Sequence, residues 1–482
     1  MNRHTILTSL AALALAFSVQ CLSAADVPAK ANSVPSAATV LEPQGKTLLM
    51  ADDAEGAGAL APFNPEPKRL WMGNWQKTSQ TLAWKVSAPE EADYEVALIS
   101  KDVPGVSLTG GLGEILSTEI KTGRWSRNTL GTVRLKKGEA TLTLNLSRDL
   151  DPKGEGGQLR SLDLLPVAAK ADYQKRVAAS RASAAWMRGP GYGVMLQYGG
   201  WGYPKEGEKK PWKEVVNAFD VEKFAKMVDE DMGARWVIWS ITWRDSHFPM
   251  PLKSVDAIVP EHTTNRDLLA DLAAALNKRG IKLMFYYHPG HEDRAWWAAN
   301  WKDGHDKDRF LKNWTAVVSE IGTRYGDRLA GWFFDDGCVY SPAPFEAMTQ
   351  AAKTGFPGRL VSYNPWVLPS YTDFEDIQMG EGFTGDTSTA IGSDGIYPSG
   401  PHAGLQAHGM FCVDGNDWGI WKPNQPAPLK INAEKATSIV KMANEHGQIM
   451  SLNFNMYEDG QVTPETLDMF RQLKAAIYTK SK

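Results

Sequence analysis

Cysteine is scarce in this chain: three residues in 482, at Cys21, Cys338 and Cys412. That excludes a disulfide framework for a protein of this length. Charge of one sign is also missing. The formal net charge is −4, and no long basic run appears, which makes nucleic acid a poor partner. No apolar run reaches the roughly 18–20 residues of a membrane span. No glycine-rich phosphate fingerprint follows any candidate strand, and the G-x-S-x-G nucleophile motif is absent. Dinucleotide chemistry and the α/β-hydrolase arrangement therefore find no support. What is present is average in bulk: 43% hydrophobic and 22% charged residues, which argues against a fibrous, disordered or multi-spanning protein. The length predicts two or three domains. The one compositional excess is tryptophan, with 18 copies. Its flat apolar face suits protein cores and also suits stacking on sugar rings.

The amino terminus reads as a secretory signal peptide over residues 1–24. Arg3 and His4 precede an apolar run from Ile6 to Val19, and Leu22-Ser23-Ala24 supplies small residues before Ala25. A secreted or periplasmic location is expected, with no membrane contact after cleavage. The two remaining cysteines, Cys338 and Cys412, are expected to be free and buried. Residues 25–62, rich in Ala, Pro, Ser and Gly, read as a flexible leader.

Two rhythms then follow. Over residues 63–170 short runs alternate with period two, as in Tyr94, Val96 and Leu98 or Leu142, Leu144 and Leu146. Turn residues separate them, predicting an antiparallel, jelly-roll-like β-sandwich. Its tryptophans, Trp71, Trp75, Trp84 and Trp125, suit a core, and the domain reads as a buttress more than as a binding module. Residues 171–190 form a linker. Over residues 191–482 strand-length apolar runs alternate with helical segments. Eight strands are expected: Val194–Tyr198, Trp236–Thr242, Lys282–His288, Leu329–Asp335, Arg359–Asn364, Asp376–Gly380, Gly409–Val413 and Gln448–Asn455. Helices are expected over Phe219–Gly233, Arg266–Arg279 (capped by Asn265), Asp308–Tyr325, Ala433–Glu445 and Pro464–Ile477. The pattern predicts a (β/α)8 TIM-type barrel.

In such a barrel, chemistry sits where the strands end. The residues there are Gln197 and Trp201; Trp243, Arg244, Asp245 and His247; Tyr287 and His288; Asp335; Asn364; Glu381; Trp418; and Asn453. Carboxylates, amides and aromatics on one rim match a carbohydrate site. Hydroxyls need polar partners, the apolar sugar face needs a platform, and two carboxylates serve glycoside cleavage. His288, His291, Glu292 and Asp293 cluster as a metal site would, yet the two histidines lack the i, i+4 spacing of a metalloprotease site and no cysteine joins them. No metal and no cofactor is expected.

The region from about 191 to 478 resembles the α-L-fucosidases of glycoside hydrolase family 29. The resemblance rests on Gly193–Gly199, on Asn265-Arg266-Asp267-Leu268 with Lys278–Lys282 and Tyr286-Tyr287, on Tyr325-Gly326 with Trp332-Phe333-Phe334-Asp335, and on Leu452-Asn453 with Asp459-Gly460. It implies a retaining glycosidase acting on an oligosaccharide or polysaccharide that carries α-L-fucosyl or related sugars. It also implies that Asp335 is the nucleophile, with Asp336 as the alternative. Glu381 is the expected acid/base, with Glu375 and Glu292 behind it. Two departures bear on specificity. Gln197 stands at the family's first-strand histidine, and Thr242–Phe248 stands at its His-His-Asp segment. Arg244 suits an anionic group through its planar fork, so a glycosidase for a sulfated or acidic glycan is an alternative, as is a non-catalytic glycan-binding protein.

Overall fold

The computed structural model describes residues 37–63, 71–120, 123, 125–301, 306–366, 368–379, 391–400, 402–415 and 418–478. The candidate signal segment lies outside the described residues.

Two sheets, antiparallel except where Thr39–Val40 pairs with Leu82–Ala88, occupy the amino-terminal part. The first has the order β1 (Thr39–Val40), β5 (Leu82–Ala88), β10 (Gly138–Leu146), β7 (Gly105–Thr109), β8 (Ile115–Glu119). The second has the order β3 (Ala61–Phe63), β4 (Trp71–Trp75), β11 (Gly157–Pro166), β6 (Ala92–Lys101), β9 (Ser126–Leu135), with β2 (Thr47–Met50) also paired to β11. Alternation sends Leu82, Trp84 and Val86 of β5 and Leu142, Leu144 and Leu146 of β10 into one core. Val96 and Leu98 of β6 and Leu159, Leu162 and Leu164 of β11 meet them there. Trp75, Trp84 and Trp125 are buried as expected, while Trp71 is half-buried and stacks on Phe63 at 4.1 Å.

The expected leader to residue 62 is too long. β1 pairs with β5 in parallel and β2 pairs with β11, so the fold begins by Thr39. Strands of two to four residues are too short to show a period, and composition hid them.

The carboxy-terminal part is one parallel, eight-stranded sheet with the order β16 (Leu360–Tyr363), β15 (Leu329–Phe334), β14 (Lys282–Tyr287), β13 (Trp236–Thr242), β12 (Gly193–Leu196), β19 (Ile449–Asn453), β18 (Gln406–Cys412), β17 (Ile377–Met379). All eight expected strands are present. The two ends of the sheet nearly meet: the Asp376 N–H donates to the Val361 carbonyl at 2.8 Å, and the Val361 N–H donates to the Asp376 carboxylate at 2.8 Å. Helices follow six of the strands, among them Leu268–Asn277, Lys307–Tyr325, Ala433–Glu445 and Pro464–Tyr478. The first is capped by Asp267, which accepts the Ala270 N–H, and not by Asn265. Among the described residues no helix follows β16, so a regular (β/α)8 alternation is not complete. The sandwich and the helix Lys170–Ser180 that follows it cover that side instead. Asp373 pairs with Lys46 at 2.5 Å and accepts from the Tyr173 hydroxyl at 2.9 Å, and Phe374 packs edge-on against Tyr173.

Each barrel strand divides its residues between two cores. Val237, Trp239, Phe285, Tyr287, Trp332, Phe334 and Tyr363 pack against the helices. Met195, Trp236, Ile238, Met284, Tyr286, Phe333, Ile377, Met379 and Met410 fill the lumen. Two glycines let large residues in. A Cβ on Gly193 would lie 2.0 Å from the Trp236 indole, and one on Gly331 would lie 2.5 Å from Met284. Trp186 closes the amino-terminal mouth edge-on against Trp236. The opposite mouth stays available for chemistry.

Candidate active site

The parity of β15 decides which carboxylate faces the lumen. Phe333 is a lumen residue, so Asp335 follows it inward. Asp335 is half-buried, and Asp336 beside it is buried. The Tyr286 hydroxyl donates to Asp335 Oδ2, and Asn364 Nδ2 donates to Oδ1 at 2.7 Å. Its backbone N–H is bound to the Tyr287 carbonyl at 2.9 Å. Both oxygens are thus held by side chains from the neighbouring strands β14 and β16. A nucleophile needs its carboxylate aimed and its rotamer locked, and this arrangement does both.

Asp336 does something else. It sits in the left-handed region, with φ 48°, which turns the chain into the short helix Gly337–Tyr340. His288 Nδ1 accepts the Gly290 N–H at 3.1 Å, so the ring proton sits on Nε2, which donates to Asp336 Oδ2 at 3.1 Å. His291 Nδ1 lies 3.6 Å from the same oxygen. His288, His291 and Asp336 bring ligand atoms within 4.8 Å of one another, as a metal site requires. A metal would need the Nε2 lone pair of His288 that the proton occupies. The pattern favours a histidine–carboxylate pair over ligation.

The rest of the suspected metal cluster disperses. Asp293 accepts the Ser246 and Trp296 N–H groups, each at 3.0 Å, and pairs with His262 at 3.6 Å. Burial alone would raise its pKa, but His262 and the two N–H groups outweigh it and pull it down to about 2. Asp293 therefore ties the loops after β13 and β14 together. His247 joins this scaffold by stacking on His262 at 4.6 Å. Asp245 lies within it, its carbonyl accepting the Trp243 N–H at 3.1 Å. Glu292 accepts from Arg244 Nη1 at 3.2 Å.

An aromatic group stands at the rim. Trp201 lies 5.1 Å from Trp243 and 4.8 Å from Trp421, and the Arg244 guanidinium covers Trp243 at 4.8 Å. The Glu292 pairing and this stacking already engage the guanidinium expected to meet an anionic sugar. Trp421 was not foreseen; the Trp418-Gly419-Ile420-Trp421 run after β18 was its available signal. Trp418 is half-buried against the lumen core, with φ 60°. Gln197 and Asn453 are buried at the ends of β12 and β19. Asn453 Nδ2 donates to Cys412 Sγ at 3.6 Å. Cys338 and Cys412 are not joined in a disulfide; Cys338 is buried as expected, but Cys412 only partly so.

One expectation needs correction. Tyr287 packs among the helices, beside Phe248 and Phe334, because period two sends it out when Tyr286 goes in. Tyr286, not Tyr287, belongs to the site. Glu381 lies outside the described residues.

The runner-up carboxylates are engaged elsewhere. Glu375 is fully buried, with Oε2 accepting the Tyr363 N–H at 2.9 Å, and burial pushes its pKa up to about 8 from the ordinary 4.5. Such burial leaves no surface for a leaving oxygen. It does predict a pH effect. Between pH 4.5 and 8 the unfolded chain has lost this proton while the folded chain keeps it, so the contribution of Glu375 to stability falls as pH rises through that window. Glu375→Gln should flatten this fall. Urea midpoints at pH 5 and pH 8 measure it, and an unchanged difference between the two would contradict the assignment.

Comparison with known proteins agrees with the motifs. The sequence profile of the alpha-L-fucosidase family matches residues 186–369, the stretch that carries β12 to β16, Tyr286, Asp335 and Asn364. No curated protein matches the sequence. Among solved structures, the chain is similar to an alpha-L-fucosidase from Bacteroides thetaiotaomicron, at 20% identity over 61% of this chain and 73% of that one, TM-score 0.43. It is also similar to the alpha-L-fucosidase AlfC from Lactobacillus casei, at 16% identity over 61% and 98%, TM-score 0.44. By this profile and the motifs, residues 186–369 of the chain are similar to the alpha-L-fucosidases.

Proposed function

We propose that the protein is a secreted, retaining glycosidase that removes terminal α-L-fucosyl or related residues from glycans, on a (β/α)8-type scaffold. The observation that carries the reading is Asp335, half-buried at the barrel mouth and held through both oxygens by Tyr286 and Asn364. Asp335 attacks the anomeric carbon as the glycosidic bond breaks, and Glu381 gives its proton to the leaving oxygen. A water then attacks the same carbon, returns a proton to Glu381 and frees Asp335. Glu381 is assigned by its spacing, two residues beyond the lumen residue Met379. Gln197 and Asn453 supply polar partners for sugar hydroxyls, and Trp201, Trp243 and Trp421 line the rim.

The test is hydrolysis of an aryl α-L-fucoside followed by proton NMR of the fresh product. Release of the α anomer first is the expected result. Release of the β anomer would overturn the double displacement. No release by folded protein would overturn the fucoside reading and send the search to sulfated and acidic oligosaccharides.

A further inference from the structure

A bulge in the sandwich aims one arginine at the back of the catalytic loop. The register of β11 against β6 shifts between Leu159 and Ser161. The shift lets Leu159 and Leu162 both face the sandwich core and turns Arg160 out of it. Bulges re-aim side chains in this way. Arg160 is only 2% exposed. What it touches belongs to the barrel. Its Nη2 donates to Ser341 Oγ at 3.2 Å, and its guanidinium lies 4.0 Å from the centre of the Tyr371 ring.

These two contacts bracket the segment that starts at Asp335. Ser341 ends the short helix that Asp336 begins. Its hydroxyl also faces Met50 Sδ of β2 at 3.9 Å, so the sandwich holds it from two sides. Tyr371 presses on the other end. A Cβ on Gly337 would lie 2.7 Å from the Tyr371 ring, and the Gly337 N–H is bound to the carbonyl of Asn364. Asn364 in turn holds Asp335. Stability gives little reason for this arginine: its guanidinium donates to the neutral Ser341 hydroxyl, so an apolar residue of similar volume would leave no charge unpaired behind it.

We propose that Arg160 is a positioning residue through which the sandwich domain fixes the loop 335–341 and thereby aims the nucleophile. The inference rests on Asp335 being that nucleophile. In Arg160→Met, kcat on an aryl α-L-fucoside should fall about 100-fold, the cost of roughly 1 Å of misplacement. KM should stay unchanged and the melting temperature should not drop. Arg160→Lys should restore part of kcat, and Ser341→Ala should lose about 10-fold. Hydrogen exchange in full-length Arg160→Met should speed up in peptides covering 335–341 and stay unchanged in the sandwich strands. Wild-type kcat in folded Arg160→Met, or unaltered exchange over 335–341, would overturn the proposal. If the wild type fails to cleave the fucoside, the nucleophile reading fails, and the exchange result still decides the role of Arg160. If Arg160→Met does not fold, Ser341→Ala decides by the same two readings.

Discussion

Asp335→Asn should abolish turnover, with a loss of about 10⁴-fold or more in kcat, while Asp336→Asn should lose only about 10-fold. The asymmetry follows from where the two carboxylates point. Asp335 is accessible at the barrel mouth, and its two oxygens accept from Tyr286 and Asn364. An amide there keeps the shape and removes the electron pair that must bond to carbon. Asp336 is buried behind it, and its Oδ2 accepts from His288. An asparagine oxygen can still accept that bond. The measurement is kcat of both variants on an aryl α-L-fucoside, with folding checked by near-UV circular dichroism. Asp335→Ala adds a second reading. Azide has room where the carboxylate was and should attack the anomeric carbon, giving the β-glycosyl azide. Loss in Asp336→Asn equal to that in Asp335→Asn, without azide rescue of Asp335→Ala, would move the nucleophile to Asp336.

Arg359→Met should be the most destabilising single change, at roughly 3–5 kcal/mol. Arg359 is completely buried at the start of β16, and all of its bonds go to backbone carbonyls. Nε donates to Leu329, Nη1 to Ala352 and Thr354, and Nη2 to Gly322 and Gly326, over 2.6–3.0 Å. Burial lowers its pKa to about 10, so it stays charged at neutral pH. Five carbonyls from the end of the helix Lys307–Tyr325, from β15 and from the chain after the helix Phe345–Ala352 converge on one guanidinium. Methionine fills the volume but removes the guanidinium from all five carbonyls, leaving Ala352 only the Trp332 indole N–H and Gly322 only the Gly326 N–H. Lysine has no fork to reach them together, so Arg359→Lys should recover only part of the loss. The urea midpoint of tryptophan fluorescence measures both. A shift worth under about 1 kcal/mol for Arg359→Met, the level of an ordinary substitution, would mean that water replaces the guanidinium. Close packing supports the site: a Cβ on Gly322 would stand 2.8 Å from Nη1 and 2.6 Å from the Thr354 carbonyl.

The eight barrel strands, the long helices and the run Trp332–Asp335 were legible in the sequence because each is a local pattern. Period two marks a strand, a stripe at three and four marks a helix, and a carboxylate after an apolar strand marks a strand end. Tyr286 and Tyr287 show where such reading stops. Both are aromatic and adjacent, and nothing local says which one faces the lumen. That choice waits on the pairing of β14 with β15, which sets Tyr286 beside Phe333, and on which face of the closed sheet is concave. The same holds for His288, whose role came from the Gly290 and Asp336 contacts and not from its place in a histidine-rich run.

By itself, then, the sequence determined the strand and helix segments, the division into a sandwich and a barrel region, the alpha-L-fucosidase likeness and the choice between two adjacent aspartates as nucleophile. Tertiary structure decided which of the pair is accessible, which tyrosine holds it, that Arg244 is already paired, and that the sandwich reaches the catalytic loop through Arg160. The physical reason is the range of the interactions. Propensity and periodicity act over a few residues, whereas Tyr286 to Asp335 spans 49 positions, Arg244 to Glu292 spans 48 and Arg160 to Ser341 spans 181, distances along the chain that only a closed barrel and its docked neighbour bring to a few ångströms.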